Sequence, residues 1–499
     1  MTEANHRIRT WATTRPDDVV VPKSVQEYID ETPVWSDGTP ATATPLTKMQ
    51  WYIWALAASG KFFEGFVVFV AGVALPLLTF EFNLTSLQKG LVSSASLAGI
   101  LLGASLLGNL SDRLGRKEVF VGEMALFAVF LLGVALSPNL PMLLLCLLFV
   151  GVALGCDYPT AHVMISECSP TRLRGRLVLS AFGFQALGAV AGTFVGYIVL
   201  STKTSQTDWR LMYFIAVVPA VLVTVGRLFV VQSPHWLIAK GRVEEARSAT
   251  RELLARVPAY PSDVELRPTR DPEIEGRVRV RDLFGPRYRR ATLFASIPWF
   301  LQDLSTYGIG IFTPVIIATT AGGVARPTDP RNIAEVIHND AIGARGGVLI
   351  DLCLLVGVVI AFFLVDGVGR IKLQIVGFIG CALGLSAAAV SSLAGGTTAV
   401  VLLFVGVMLF NVMTNVGPNT QTYVIAGEVF PTEVRATGAG LAASFAKVGA
   451  VIAAFLFPML MNKIGTEALL TILVGASFLG ALATWKLRIE TRGVSLEHL

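Results

Sequence analysis

We single out six ionisable side chains that stand inside long apolar stretches of this 499-residue chain. A charge at the centre of a membrane helix costs about 2.5–3.5 kcal/mol on insertion scales, so an ionisable residue retained there is a candidate for function. A carboxyl group in an apolar cavity can hold a proton near neutral pH, and a lysine can balance an anion. The six residues are Lys61, Glu64, Asp157, His162, Asp303 and Lys447.

Polar side chains that could bind oxygen atoms accompany them. Trp299, Asp303 and Tyr307 are spaced i, i+4 and i+8, which places them on one face of a helix. Asp303 could accept a hydrogen bond from a protonated oxyanion. Further donors to oxygen are available in other apolar stretches, namely Tyr158, Gln185 and Asn419.

Structural explanations stand beside the functional ones. Lys61 and Glu64 are one helical turn apart and could form a purely structural pair. His162 is also consistent with a hydrogen-bonded core residue, and Trp299 with an anchor at the membrane interface.

The composition determines which elements carry these residues. Hydrophobic residues make up 53% of the chain and charged residues only 15%, with a mean hydropathy of +0.64. An ordinary soluble domain has about 25% charged residues, which excludes a set of soluble domains. One membrane crossing takes about 20 residues. We therefore predict an all-α membrane protein, with a net charge of +5 that reflects basic loops rather than nucleic-acid binding.

Apolar stretches of spanning length occur as six, a polar gap, and six more. This pattern predicts a disordered cytoplasmic tail over 1–49, a six-helix half over 50–231, a cytoplasmic linker with amphipathic helices over 232–290, a second half over 291–487, and a cytoplasmic C-terminus over 488–499. The stretches cover about 50–79, 88–110, 118–137, 139–164, 178–202, 210–231, 291–320, 346–366, 372–393, 397–426, 436–462 and 466–487.

Arginine and lysine fill the turns on one side of the predicted bundle, such as those at 113–117, 172–176 and 370–372. The turn at 320–345 lies on the other side and carries charges of both signs. By the positive-inside rule, the basic turns and both termini face the cytoplasm of a multi-pass protein in the cell membrane.

An internal repeat relates the two halves. The segments 167–174 and 428–435 share the pattern E-x-x-P-T-x-x-R at an offset of 261 residues, and a weaker echo joins 112–116 to 366–370. Parallel repeats of six helices are a common way to build secondary transporters. We interpret the charged residues of these segments as gating elements that tie helix ends together: Asp112, Arg116, Glu167, Arg174, Asp366, Arg370, Glu428 and Arg435.

The segment 108–117, Gly-Asn-Leu-Ser-Asp-Arg-Leu-Gly-Arg-Lys, resembles the signature loop of the major facilitator superfamily. The repeated E-x-x-P-T-x-x-R is similar to that family's motifs as well. Ser-Pro-His-Trp-Leu at 233–237 and Glu-Thr-Arg-Gly at 490–493 are typical of its sugar-porter side. The resemblance covers about 50–495 and implies twelve helices in two pseudo-symmetric halves, working by alternating access.

Several site residues resemble those of proton-coupled phosphate symporters. The Asp-Tyr-Pro segment at 157–159, the W-x3-D-x3-Y pattern of the seventh stretch, and the Gly-Pro-Asn at 417–419 match that family. The chain departs from it in having Cys156 for a glycine, Glu64 and Val67 for two aspartates, and an added Lys61. The resemblance implies a substrate site of Tyr158, Gln185, Trp299, Asp303, Tyr307, Asn419 and Lys447, and proton coupling by Glu64, Asp157 and Asp303.

The sequence thus predicts a proton-coupled symporter of a small oxyanion, with inorganic phosphate as the best single substrate. Its partners are the substrate, protons and the lipid bilayer, and we expect it to work as a monomer without a cofactor. A sugar or organic-acid transporter on the same fold is the alternative, and a non-transporting nutrient sensor is a more distant one. We predict no enzyme activity, because the sequence has no nucleophile–base pair, metal cluster or nucleotide loop.

Overall fold

The computed structural model describes residues 22–32, 46–107, 110–255, 264–267, 280–321, 333–431 and 434–489, and most of them are helical. In chain order the α-helices are α1 Val25–Asp30, α2 Lys48–Phe82, α3 Ser86–Leu107, α4 Leu110–Leu114, α5 Arg116–Ala135, α6 Leu140–Cys168, α7 Thr171–Thr202, α8 Trp209–Leu228, α9 Pro234–Ala239, α10 Val243–Leu254, α11 Arg289–Ala321, α12 Ile333–Val368, α13 Arg370–Val390, α14 Gly396–Val416, α15 Pro418–Glu428 and α16 Arg435–Leu487.

The described part of the chain contains twelve candidate membrane spans. Within the described residues, eleven helices are long and apolar enough to cross a membrane, with α14 and α15 counted together across their break at Gly417. The last helix, α16, has 53 residues and is interrupted at Gly465, whose φ of 82° is a left-handed conformation that favours glycine. Since one crossing takes about 20 residues, the two arms of α16 are two spans. The predicted twelve-span, all-α fold is confirmed.

Glycines let the helices within a half pack closely. A Cβ atom added to Gly65 on α2 would lie 2.0 Å from the carbonyl oxygen of Gln185 on α7, and one added to Gly188 on α7 would lie 1.9 Å from that of Phe62. Small residues at such contacts are a usual means of helix association in membranes. They hold the backbone of Gln185 directly against the turn of α2 that carries Glu64.

One end of the bundle carries the same ion pair in both halves. Arg116 lies 3.3 Å from Glu167, and Arg370 lies 3.2 Å from Glu428. Each pair joins the start of one helix to the end of another, at positions that the sequence repeat relates. We call this the basic end, and the other the opposite end.

One helix begins earlier than the sequence predicted. The eighth stretch was predicted at 346–366 after a turn at 320–345, but α12 already begins at Ile333. The prediction was wrong because charged residues made this segment look like a loop. Asp340 is in fact buried, and Gly343 packs against α11, where an added Cβ would lie 2.3 Å from the carbonyl oxygen of Pro314.

The N-terminal tail also differs from the disorder predicted for residues 1–49, because residues 22–32 are folded onto the basic end. Helix α1 buries Val25, Tyr28 and Ile29, and Gln26 donates a hydrogen bond of 3.2 Å to Thr171 at the start of α7. These apolar residues pack in the same cluster as helices α9 and α10 of the linker. The buried face of the amphipathic α10 comprises Ala246, Ala249, Thr250, Leu253 and Leu254.

Candidate functional site

Four charged side chains meet at the centre of the bundle, two from each half. Lys447 on α16 places its Nζ 3.3 Å from Glu64 Oε1 on α2 and 3.4 Å from Asp303 Oδ2 on α11. Lys61 Nζ lies 2.8 Å from the other carboxylate oxygen of Glu64. All four side chains are buried. Two cations face two carboxylates, so the formal charges of this central cluster cancel.

Tyr307 and Gln185 complete the central cluster as hydrogen-bonding partners. Lys447 Nζ donates to the hydroxyl of Tyr307 at 2.8 Å, and Gln185 Nε2 donates to the same oxygen at 3.0 Å. The hydroxyl in turn donates to Glu64 Oε1 at 3.3 Å. The i, i+4 spacing of Asp303 and Tyr307 on α11 is what brings both to Lys447. The bonds of Tyr307 to Gln185 and to Glu64 join the two halves, so a separation of the halves at this point must break them.

A small cavity between the halves adjoins the central cluster. Its interior volume is about 30 Å³, which is room for one or two water molecules. A larger ligand therefore requires the halves to move apart. Gln302 donates to Asn419 at 3.1 Å, and Asn419 donates to Asn415 at 2.8 Å along the wall. The polar lining comprises Gln185, Tyr307 and Asn419, which the sequence predicted, and Thr306 and Asn415, which it missed.

Four aromatic side chains lie between the central cluster and the basic end. They are Tyr158, Phe182, Trp299 and Tyr423. Tyr423 on α15 stacks on Phe182, with ring centroids 4.8 Å apart, and meets Tyr158 and Trp299 edge-on at 6.0 and 6.2 Å. Lys61 Nζ lies 3.6 Å from the centre of the Tyr158 ring, a cation–π contact.

Tyr158 and Trp299 thus lie beside the central cluster, toward the basic end. The sequence analysis missed Tyr423, although it stands four residues after Asn419 and so on the same face of its helix.

Asp157 lies apart from the central cluster, inside the N-terminal half. Its Oδ1 accepts a hydrogen bond of 2.6 Å from Arg227 on α8, and Arg227 also lies 3.1 Å from Glu123 on α5. Neighbouring residues of a helix do not face the same way, so Asp157 points away from the group that Tyr158 joins. The sequence analysis missed three further ionisable residues that are buried inside predicted spans, namely Glu123, Arg227 and Asp351. The cost of burying a charge, which identified Asp157, is the signal that could have found them.

The five predicted gating residues whose side chains the structure describes lie at the basic end: Arg116, Glu167, Arg174, Arg370 and Glu428. Glu167 pairs with Arg116 and accepts a hydrogen bond from Ser233. Arg174 donates to Gln26 of α1 at 2.9 Å rather than to Glu167. The side chains of three other predicted gating residues, Asp112, Asp366 and Arg435, lie outside the described part of the chain.

A metal site would need several oxygen, nitrogen or sulfur ligands close together. Among the residues that the structure describes, no group of three His, Cys, Asp or Glu side chains is placed to hold an ion. The central cluster instead has lysine ammonium groups beside its carboxylates, and these groups are competitors of a cation rather than its ligands.

The sequence profile of the family described as "Sugar (and other) transporter" matches residues 53–499. The chain belongs to this family. A relative in Escherichia coli (strain K12), the inner membrane metabolite transport protein YgcS, is 28% identical over 91% of this chain and 94% of its own length. Another, named "Probable inorganic phosphate transporter 1-6" of Arabidopsis thaliana, is 27% identical over 93% of this chain and 96% of its own length.

The fold of this sugar-transporter family member agrees with a solved structure. The proton:xylose symporter XylE, of the major facilitator superfamily, matches with a TM-score of 0.68 at 20% identity, over 90% of this chain and 98% of XylE. At that identity the likeness shows the fold alone. Family and fold together make the chain a multi-pass membrane transporter, which confirms the prediction that it is not an enzyme.

Proposed function

We propose that this transporter is a proton-coupled symporter of a small oxyanion, and that inorganic phosphate is the substrate to test first. The observation that carries the proposal is the composition of the central cluster, in which Lys61 and Lys447 face Glu64 and Asp303. Two lysine ammonium groups are suited to bind an anion, and the carboxylates of the same cluster neutralise them when the carrier is empty.

Proton coupling follows from the balance of two lysines and two carboxylates in the central cluster. When Asp303 binds a proton, Lys447 loses the charge of one of its two carboxylate partners. An anionic oxygen can then take that place, with the Tyr307 hydroxyl and the Gln185 amide as further hydrogen-bond donors. One proton and one monovalent anion together leave the net charge of the central cluster unchanged. The loaded carrier is therefore as free to reorient in the membrane as the empty one.

We further propose that the basic end faces the cytoplasm and that access alternates between the two ends. The arginines of this end support the orientation through the positive-inside rule. The pairs Arg116–Glu167 and Arg370–Glu428 each lie within one half, so they would keep each half rigid while the halves rock against each other. The names of the Arabidopsis relative and of XylE are consistent with phosphate and proton coupling, respectively.

The test is uptake of radiolabelled phosphate by purified protein in liposomes, with and without an inward proton gradient. We expect the gradient to drive accumulation, and we expect Asp303→Asn to abolish the gradient-driven part, because asparagine keeps the shape but binds no proton. Exchange of phosphate across the membrane at equal pH, which needs no net proton movement, should survive in part. The absence of phosphate uptake by the wild type under both conditions would refute the phosphate assignment.

A second candidate is a sugar or an organic acid, favoured by the hydroxyl and amide groups of Thr306, Asn415 and Asn419 along the cavity. These groups suit the hydroxyls of a sugar, and the lysines suit a carboxylate. A competition experiment distinguishes the candidates. An excess of unlabelled xylose or lactate should leave phosphate uptake unchanged if phosphate is the substrate. Uptake of labelled xylose or lactate in place of phosphate would favour the second candidate.

A further inference from the structure

The buried aspartate Asp351 forms a hydrogen bond across the interface between the halves and has no part in the mechanism above. It stands on α12, is 2% exposed, and places Oδ2 2.7 Å from the hydroxyl oxygen of Thr193 on α7. Its other oxygen, Oδ1, has no hydrogen-bond partner among the described residues.

The hydroxyl of Thr193 faces two acceptors, and a protonated Asp351 satisfies both contacts. The hydroxyl oxygen of Thr193 also lies 3.1 Å from the carbonyl oxygen of Ala189, in the geometry of a hydrogen bond within α7. A hydroxyl has a single hydrogen, and a carbonyl oxygen can only accept. With an ionised Asp351, that hydrogen can serve either the carboxylate at 2.7 Å or the carbonyl oxygen at 3.1 Å, but not both. With a protonated Asp351 both contacts are hydrogen bonds, because Thr193 donates to Ala189 and accepts from the carboxyl group.

The surroundings of Asp351 also favour the protonated form. From α7 it meets the hydroxyl of Thr193, and from α14 the nearby Asn411 donates to the carbonyl oxygen of Ile350 instead. The titratable group beside it is the thiol of Cys353 on its own helix. In the part of the chain that the structure describes, no cation faces this carboxyl. A buried carboxylate without a cation is strongly disfavoured.

The position of this bond links it to opening of the carrier. Asp351, Leu354 and Val358 share one face of α12, and Leu354 and Val358 line the cavity. Ala189 lines the cavity from α7, and Thr193 is one turn further toward the opposite end. The bond therefore closes the cavity on that side, and α7 must leave α12 there when the opposite end opens.

We infer that Asp351 is a proton-binding site that controls closure of the opposite end, an inference that rests on the alternating access proposed above. On opening, water reaches the carboxyl group, its O–H bond breaks, and the proton passes to that water while the electron pair stays on the carboxylate. Closure requires the reverse step, in which the carboxylate takes a proton from the solution at that end. Acid on that side therefore favours the closed state.

Infrared spectroscopy of the purified protein tests the protonation state without any substrate. We expect the C=O stretch of a protonated carboxyl at neutral pH, absent in Asp351→Asn and shifted in Thr193→Val, which removes its acceptor. Thr313→Val is the matched control, because the buried hydroxyl of Thr313 bonds to Ile309 of its own helix at 2.8 Å and to no other described residue. A wild-type minus Asp351→Asn difference with carboxylate bands alone would overturn the inference.

Phosphate counterflow at equal pH on both sides tests the gate. Wild-type exchange should slow as the pH is raised, and Asp351→Asn, whose amide can donate to Thr193 at every pH, should lose at least part of that dependence. An unchanged pH profile in a well-folded Asp351→Asn protein would contradict the gating role. If the wild type shows no counterflow, the phosphate assignment has failed, and the infrared result still decides the protonation of Asp351.

Discussion

At the scale of single residues, the central cluster depends on shared partners. Lys447 contacts Glu64, Asp303 and Tyr307, each within 3.4 Å, so its removal breaks three contacts at once. Among the described residues of the central cluster, Glu64 is the one carboxylate that lies within ion-pair distance of Lys61. Loss of Lys447 leaves, among the residues that the structure describes, no cation within ion-pair distance of the buried carboxylate of Asp303.

We therefore predict that Lys447→Gln weakens phosphate binding, because a hydrogen bond to a charged group contributes about 1.5–3 kcal/mol, or roughly 10- to 150-fold in affinity. Binding is measured by calorimetry or by the phosphate dependence of uptake. Lys203→Gln, at an exposed position after α7, is the control and should leave affinity unchanged. Equal affinities in the wild type and Lys447→Gln would exclude Lys447 from the substrate site.

At the scale of elements, glycines set how closely the halves approach at the opposite end. A Cβ added to Gly72 on α2 would lie 2.0 Å from the carbonyl oxygen of Ile311 on α11, and one added to Gly90 on α3 would lie 2.3 Å from that of Phe455 on α16. Both contacts join the two halves. This end closes because two backbones can touch there, and even a methyl group would hold them apart.

Gly72→Ala should therefore destabilise the closed opposite end by about 1–3 kcal/mol, the usual cost of overpacking. We expect faster hydrogen–deuterium exchange in the adjoining turns of α2 and α11, and a lower rate of uptake. Gly122→Ala is a matched control, because an added Cβ there meets nothing within 4 Å. If exchange rises equally in both variants, contact between the halves is not the cause.

The helices also show how much of the structure could be predicted from the sequence. The order of twelve spans and the helix of each site residue follow from hydropathy, because burial in lipid requires long apolar runs. The rotation of most helices about their axes does not follow, because apolar residues occur on the lipid-facing and on the buried faces alike. Asp157 was thus assigned to the correct helix but grouped with residues that face elsewhere. Charged residues at 333–345 concealed the first turns of α12, because their burial depends on tertiary packing.

At the scale of the whole molecule, the arrangement of the halves predicts the orientation in the membrane. Twelve spans place both termini on the same side, and the arginines of the basic end predict that this side is the cytoplasm. A fluorescent protein fused to the C-terminus should therefore fold and fluoresce, whereas an alkaline phosphatase fused there should be inactive. The reverse pattern would invert the proposed orientation, and the direction of coupling with it.

The ion pairs of the basic end make a last prediction, about each half as a rigid body. Arg116→Glu should lower uptake by setting two carboxylates against each other, and Glu167→Arg should do so with two cations. The double variant restores a pair of opposite charges and should recover part of the lost uptake. The interaction energy between the two positions in this double-mutant cycle should be about 0.5–3 kcal/mol. Arg370 and Glu428 occupy the equivalent positions at nearly the same distance, so the same cycle there should give a similar value. Additive losses in both cycles would mean that the paired charges do not stabilise the halves, and that these residues act through other contacts.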